Sequence, residues 1–265
     1  MSLEVLERSA AASDSAVPIL FVHGILSGAW IWDEYFMPWF AKRGFHPFAV
    51  SLRGHGNSPA GKPLDQLALH DFVADVRQTV LRIQQSTGRE PILVGHSMGG
   101  MVVQRYLSEY QAPAAVLMCS LPPQGMMPLS ISSTLTNPLL AMQMAKVYSF
   151  PEMADTSFAR DILFYHPAEE TDLARWFATP QRESMRLLWD LNMALPLVSR
   201  VMKTPLSVVG ARHDRLVPTG IVQWTASTYR CQLDWVNAGH AVMLEQNWQE
   251  TAQVLQNSVQ GLLVA

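Results

Sequence analysis

The stretch Pro91-Ile92-Leu93-Val94-Gly95-His96-Ser97-Met98-Gly99-Gly100 joins a short apolar run to a G-x-S-x-G turn, and from Met101 to Tyr110 the apolar spacing becomes helical. Strand, sharp turn and helix in that order lift a serine oxygen above the end of a sheet. Glycine on either side relieves crowding where neighbouring backbone approaches. No other G-x-S-x-G occurs in the 265 residues. A bare match arises by chance, but this one has the required context on both flanks. Ser97 is therefore the candidate nucleophile, against the plainer alternative of a polar residue in a tight turn. His96 adjoins it, yet with the serine pointing up its neighbour must point elsewhere, so His96 reads as structural.

Working outward, short apolar runs recur at Pro18 to Val22, Phe45 to Ser51, Ala114 to Cys119, Pro205 to Val209 and Gln232 to Val236. Runs without polar alternation suit buried parallel strands covered by helices on both faces. Between them lie helical patterns, such as Asp71 to Gln85 with Phe72, Val73, Val76, Val80, Leu81 and Ile83 on one broad face. The βαβα order predicts an α/β fold with a doubly wound, mostly parallel sheet. A last helix is expected over Trp248 to Leu263, packing back on the sheet. From Pro122 to Arg200 the texture changes to repeated prolines, half of the fourteen methionines, and helical patterns without strands between them. Residues 1–121 and 201–265 are thus expected to form the core, and 122–200 an inserted helical cap.

Composition removes several classes of function. The formal charge is −3 with no block of like charges, which gives no electrostatic reason to expect nucleic acid or an anionic membrane as partner. The first residues, MSLEVLERSAAASDS, have no apolar core of signal-peptide length, and no stretch approaches a membrane span. A cytoplasmic chain, monomer or homodimer, is the expectation. The two cysteines, Cys119 and Cys231, sit in apolar runs and read as buried free thiols rather than a disulfide. None of the eight histidines shows ligand spacing, so no metal is implied.

A serine hydroxyl needs a positioned imidazole, and the imidazole needs a carboxylate that fixes its tautomer. His240, in Asn237-Ala238-Gly239-His240-Ala241, follows the run ending at Val236 and can swing over the sheet. Downstream of Ser97 the other histidines are His166, inside the insertion, and His213, directly before an acid. That acid, Asp214, follows the Pro205 to Val209 strand, at a C-terminal strand end where open α/β sheets place their sites. The order Ser97, Asp214, His240 is that of a nucleophile-elbow triad. Glu245 is the carboxylate to examine next if Asp214 is not the acid. Negative charge developing on a substrate oxygen calls for backbone N–H donors. Met98, next after Ser97, and Ile25, in the loop Phe21-Val22-His23-Gly24-Ile25, are the candidates, with Gly24 giving the backbone room. His23 and the turn Arg53-Gly54-His55-Gly56-Asn57-Ser58 read as structural.

Together, the His23-Gly24 loop, Arg53-Gly54-His55-Gly56, the Ser97 elbow, Asp214 and Gly239-His240 resemble the α/β-hydrolase superfamily over nearly the whole chain. Gly24 to Trp32, with Gly95 to Met101, is similar in particular to the plant-type esterase and hydroxynitrile lyase branch. Lyases of that branch carry threonine in the oxyanion loop and lysine after the catalytic histidine; Gly24 and Ala241 stand there, so the resemblance implies the esterase side. It implies a serine hydrolase that cleaves carboxylic esters through an acyl-enzyme, without cofactor. The same triad serves thioester, amide, lactone or carbon–carbon bond hydrolysis, or perhydrolysis, and a small-molecule receptor of hydrolase shape is the alternative of another class. The insertion's Met126, Met127, Leu139, Met142, Phe158, Phe164, Trp176, Trp189 and Met193 are expected to make an apolar pocket, with Gly24, Met126, Trp176 and Trp189 against the substrate. With no interfacial surface evident, long triglycerides are expected to be poor substrates.

Overall fold

The computed structural model describes residues 2–9, 16–149, 156–178 and 182–264. Part of the amino-terminal stretch and parts of the insertion read above therefore lie outside the described residues. Among the described residues, seven strands form one sheet: β1 (Val5–Glu7), β2 (Val17–Val22), β3 (Phe45–Val50), β4 (Ile92–His96), β5 (Ala115–Met118), β6 (Leu206–Ala211) and β7 (Gln232–Val236). Their order is β1-β3-β2-β4-β5-β6-β7, with β1 antiparallel to β3 and every other pair parallel. Six strands match the expected apolar runs. β1 has no counterpart among those runs; three residues on a sheet edge are too few for periodicity to mark them.

The sheet's faces are covered as the unalternating strands require. Leu20 and Val22 join one apolar cluster with α3 (Leu69–Thr87) and α4 (Met98–Leu107). Ile19 and Phe21 join the other, with α1 (Trp30–Asp33), α2 (Phe36–Ala41) and α12 (Trp248–Val264). α3 buries Leu69, Phe72, Val73, Val76, Val80 and Ile83, whereas Leu81, read onto the same face, is exposed. One step beyond Val80 turns about 100°, enough to leave a stripe already filled by its neighbours. The helix ends at Gly88, whose φ of 73° stops it in the left-handed region.

Between β5 and β6 the described residues form α5 (Met127–Thr136), α6 (Pro138–Ser149), α7 (Thr156–Leu163), α8 (Glu170–Trp176), α9 (Met185–Met193) and α10 (Val198–Val201). α11 (Thr219–Tyr229) lies between β6 and β7. The inserted helices share the sheet's own cores: Leu187 and Leu191 join the first cluster, Phe164, Leu173 and Trp176 the second.

Chain direction across the sheet reverses between β2 and β4, since β3 lies on one side of β2 and β4 on the other. Parallel register then brings the ends of β2, β4, β5, β6 and β7 to one edge, Val22 level with Gly95, His96 with Met118, and Ala211 with Val236. A crevice at such a reversal is where open α/β sheets bind ligands.

Candidate active site

Ser97 stands between the last residue of β4 and the first of α4, at φ 53° and ψ −120°. A serine in that region is strained by about 1–3 kcal/mol and persists only where surrounding structure imposes it. The imposition is visible at Gly99, where a Cβ would run into the carbonyls of Val22 and His23, so only glycine lets α4 start so close to β2. Met98 is the first residue of that helix, and its N–H is among those that no helical carbonyl can accept. Ile25 and Gly24 line the same cavity as Ser97, and a Cβ on Gly24 would lie 3.0 Å from both the Ser97 Cβ and His96 Nδ1.

His240 and Asp214 come together from the loops after β7 and β6. His240 Nδ1 donates to Asp214 Oδ2 at 2.8 Å, with both side chains almost wholly shielded from water. The other oxygen, Oδ1, accepts the N–H groups of Leu216 and Val217 at 2.8 Å each, which fixes the carboxylate's orientation. With Nδ1 protonated, Nε2 carries the lone pair a general base needs. Ser97 and His240 line one cavity, although among the described residues no hydrogen bond joins the Ser97 hydroxyl to His240. Such contacts are often long in unliganded enzymes and tighten with substrate.

Four of the other histidines are held by local contacts. His96 Nε2 donates to the carbonyl of His240 at 2.9 Å, so the serine's neighbour holds the backbone of the third triad candidate. Burial, then the nearby His240, depress the His96 pKa well below the usual imidazole value. His23 Nδ1 donates to Gly24 O at 2.7 Å while its Nε2 accepts the Leu52 N–H at 3.0 Å. Burial, then the charge of His55, push its pKa down to about 3. His213 stacks on Tyr165 and meets Asn237, and His166 also lies beside Asn237; neither reaches the cavity. Arg53 is bound by Asp75 and Asp71 of α3. Cys119 and Cys231 are free thiols; burial, then the Asp214 charge, raise the Cys119 pKa.

The cavity holds about 590 Å³ and is walled mainly by apolar side chains. From the insertion, Met144, Val147, Phe158, Ile162, Leu163 and Trp176 line it. This wall differs from the one that helical spacing predicts. Phe158 and Trp176 are in place, but Met126 is half-buried against the first core cluster, and Phe164 belongs to the second. Trp189 is 67% exposed, and Met127, Leu139, Met142 and Met193 are also exposed, outside the cavity. Helical spacing shows that a residue is on a face, not which face meets the cavity, and α6 illustrates this: Met144 lines the cavity while Met142 looks outward. The exposed apolar side chains also remove the ground for expecting long lipid esters to be excluded.

Two buried carboxylates complete the surroundings. Glu183 pairs with His55, and Glu245 accepts three backbone N–H groups beside His240. Glu183 carried no sequence signal, since a lone glutamate in a polar stretch has none. Glu245 has one, its spacing from His240, but the carboxylate that meets His240 Nδ1 is that of Asp214.

The described residues hold no helix long and apolar enough to cross a membrane, and no group of three or more His, Cys, Asp or Glu side chains placed to hold a metal. Residues 19–254 match the model of the alpha/beta hydrolase family. The chain is 26% identical over 191 residues to a monoacylglycerol lipase of Mycolicibacterium smegmatis, covering 68% of this chain and 64% of that protein. It is 32% identical over 116 residues to a non-heme chloroperoxidase of Burkholderia pyrrocinia, covering 41% and 38%. These matches therefore span less than two thirds of either relative. Among solved structures, polyneuridine aldehyde esterase superposes with a TM-score of 0.73 at 20% identity, over 92% of this chain and 99% of that one, a likeness of fold. Because the family match runs from β2 into α12 and so includes the Ser97 elbow and the loops of Asp214 and His240, this chain is a member of the alpha/beta hydrolase family.

Proposed function

We propose that the chain is a serine hydrolase that cleaves carboxylic esters of small apolar acyl or aromatic compounds through an acyl-enzyme. The observation that carries this is the buried 2.8 Å contact between His240 Nδ1 and Asp214 Oδ2 at the cavity that Ser97 also lines. His240 Nε2 takes the Ser97 proton as Oγ attacks the ester carbonyl. The oxyanion that forms is met by the N–H groups of Ile25 and Met98, and the imidazolium is stabilised by Asp214. His240 then returns the proton to the departing alkoxide. Water, deprotonated by the same imidazole, attacks the acyl carbonyl and frees Ser97. The helices of residues 122–200 act as a cap that supplies the apolar wall, with Gly24 and Trp176 against the substrate.

The test is labelling with a fluorophosphonate, with the adduct located by peptide mapping, followed by p-nitrophenyl esters from acetate to hexanoate. A label on Ser97 and ester turnover are expected. Absence of both, with slow release of a bound small molecule, would mark a receptor instead. The chloroperoxidase among the relatives supports a second reading, in which hydrogen peroxide in place of water discharges the acyl-enzyme. Peracid formation from ester and peroxide measures it.

A further inference from the structure

Five residues beyond His240, the side chain of Glu245 is fully buried, and among the described residues no cation pairs with it. Its carboxylate is instead filled by backbone donors: Oε1 accepts from Tyr165 N at 2.7 Å and Gly239 N at 2.6 Å, and Oε2 from His166 N at 2.5 Å. A buried carboxylate is costly unless hydrogen-bonded, and three N–H groups meet that need. The donors come from two separate pieces of chain. Tyr165 and His166 follow α7 in the insertion, and Gly239 immediately precedes His240.

The two pieces form a seam around this carboxylate. Ala241 N donates to Leu163 O at 2.8 Å, and Gln246 N to His166 O at 3.0 Å. At Gly239 the backbones lie so close that a Cβ would stand 2.7 Å from Leu163 O and 2.8 Å from Tyr165 N. His240 is thus held on both chain sides, through Gly239 N to Glu245 and through Ala241 N to the insertion. Leu163, whose carbonyl takes that second bond, also lines the substrate cavity. Asp214 fixes the ring at Nδ1 and His96 fixes the carbonyl, but neither ties His240 to the part of the cavity wall that the insertion supplies.

We infer that Glu245 is a positioning residue for His240, locking the imidazole and the Ile162–Leu163 wall of the cavity into one register. The inference rests on the proposed ester chemistry. Removing the carboxylate strands three N–H groups, that of Gly239 in a buried bond and those of Tyr165 and His166 in partly buried ones, and the cheapest relief is to part 163–166 from 239–241. That parting moves base and wall together. Glutamine does not repair it, because it has one acceptor oxygen, and either orientation of the amide turns an NH2 toward at least one of the three donors. A shift of about 1 Å in a reacting group costs on the order of a hundredfold in rate.

The experiment compares wild type, S97A and E245Q for fluorophosphonate labelling, for kcat and KM on p-nitrophenyl butyrate, and for melting temperature. Expected for folded E245Q is a kcat lower by about ten- to a hundredfold, KM within about threefold, and a labelling rate reduced in step with kcat. A folded E245Q with a lower melting temperature but wild-type kcat and labelling would overturn the inference, since that is what a purely stabilising role produces. Should E245Q not fold, native-state hydrogen exchange on the wild type decides. Peptides 163–166 and 239–246 are expected to open as one unit as urea rises, and independent opening of 163–166 would overturn the coupling. Failure of wild type to label at Ser97 would count against the ester chemistry and not against the seam, which the exchange experiment reads without substrate.

Discussion

His55 Nε2 and Glu183 Oε2 stand 3.0 Å apart, with both side chains fully shielded from water. The pair joins the turn after β3 to the insertion, and the same Glu183 oxygen also receives the N–H of Leu26, at a long 3.4 Å. Leu26 has a φ of 57° and directly follows Ile25, a proposed oxyanion donor. Removing one member leaves a buried charge without its partner, which costs about 3–5 kcal/mol. E183A and H55A are each expected to lose that much stability, and the double variant less than the sum. A double-mutant cycle by urea unfolding measures the coupling; full additivity would show the pair to be energetically idle.

The pair also carries a pH signature. Burial by itself lowers the His55 pKa, but the charge and hydrogen bond of Glu183 outweigh it, so His55 is raised above the usual value. A histidine with a raised folded pKa contributes stability that is complete below its unfolded value, about 6.5, and lost as pH rises through the folded value. The melting temperature of wild type minus that of E183Q should therefore shrink as pH climbs above 6.5. A difference that stays constant across that range would refute a charged pair.

His23 has the opposite sign. Its folded pKa is about 3, below the unfolded value of about 6.5, so between those limits the unfolded chain binds the extra proton. The stability it contributes is complete above pH 6.5 and drains away as pH falls from 6.5 toward 3, by an order of a few kcal/mol. His96 is shifted in the same direction. Urea unfolding at steps from pH 7 to pH 4 should show this loss, and H23Q, which cannot titrate, should show a shallower one. Equal slopes in the two proteins would place the acid sensitivity elsewhere.

The proposed triad predicts two rate losses of different character. S97A should reduce ester turnover by orders of magnitude with the fold intact, because Ser97 is the elbow serine and its strained backbone comes from its neighbours. D214N should lower kcat by about 10⁴, with KM little changed, since the amide favours the wrong imidazole tautomer. Wild-type turnover in S97A, measured on p-nitrophenyl butyrate, would remove Ser97 from the chemistry. A silent D214N would leave His240 oriented by another group.

Local rules made most of the framework legible. Ser97, Asp214 and His240 stand where strand, turn and chain order put them, and the parallel register carries their loops to one sheet edge. What sequence did not show depends on long-range approach. Glu183 meets His55 across 128 positions of chain, and Glu245 meets Tyr165 across 80; no periodicity encodes such encounters. The insertion was hardest for the same reason: its helices are apolar on more than one side, so composition could not tell Met144, which lines the cavity, from Met142, which faces outward. The first strand leaves no mark in the sequence, because three residues are too short a sample of any period.

The cavity wall yields the last prediction, on acyl preference. About 590 Å³ is enough for a small-molecule substrate, and Phe158, Ile162 and Trp176 offer apolar contact in the cavity that Ser97 lines. Each enclosed methylene is worth about 0.8 kcal/mol, so the four added between acetate and hexanoate raise kcat/KM by a few hundredfold at most, and by less if enclosure is partial. The slope of log kcat/KM against chain length thus measures how much of the acyl chain the wall covers. W176A should flatten that slope, because it removes cavity wall. W189A should leave it unchanged, since Trp189 is 67% exposed and outside the cavity. A flat profile in wild type would make the insertion a restriction on size rather than an apolar wall, and a slope altered by W189A but not by W176A would put the acyl chain on the outer face of the insertion.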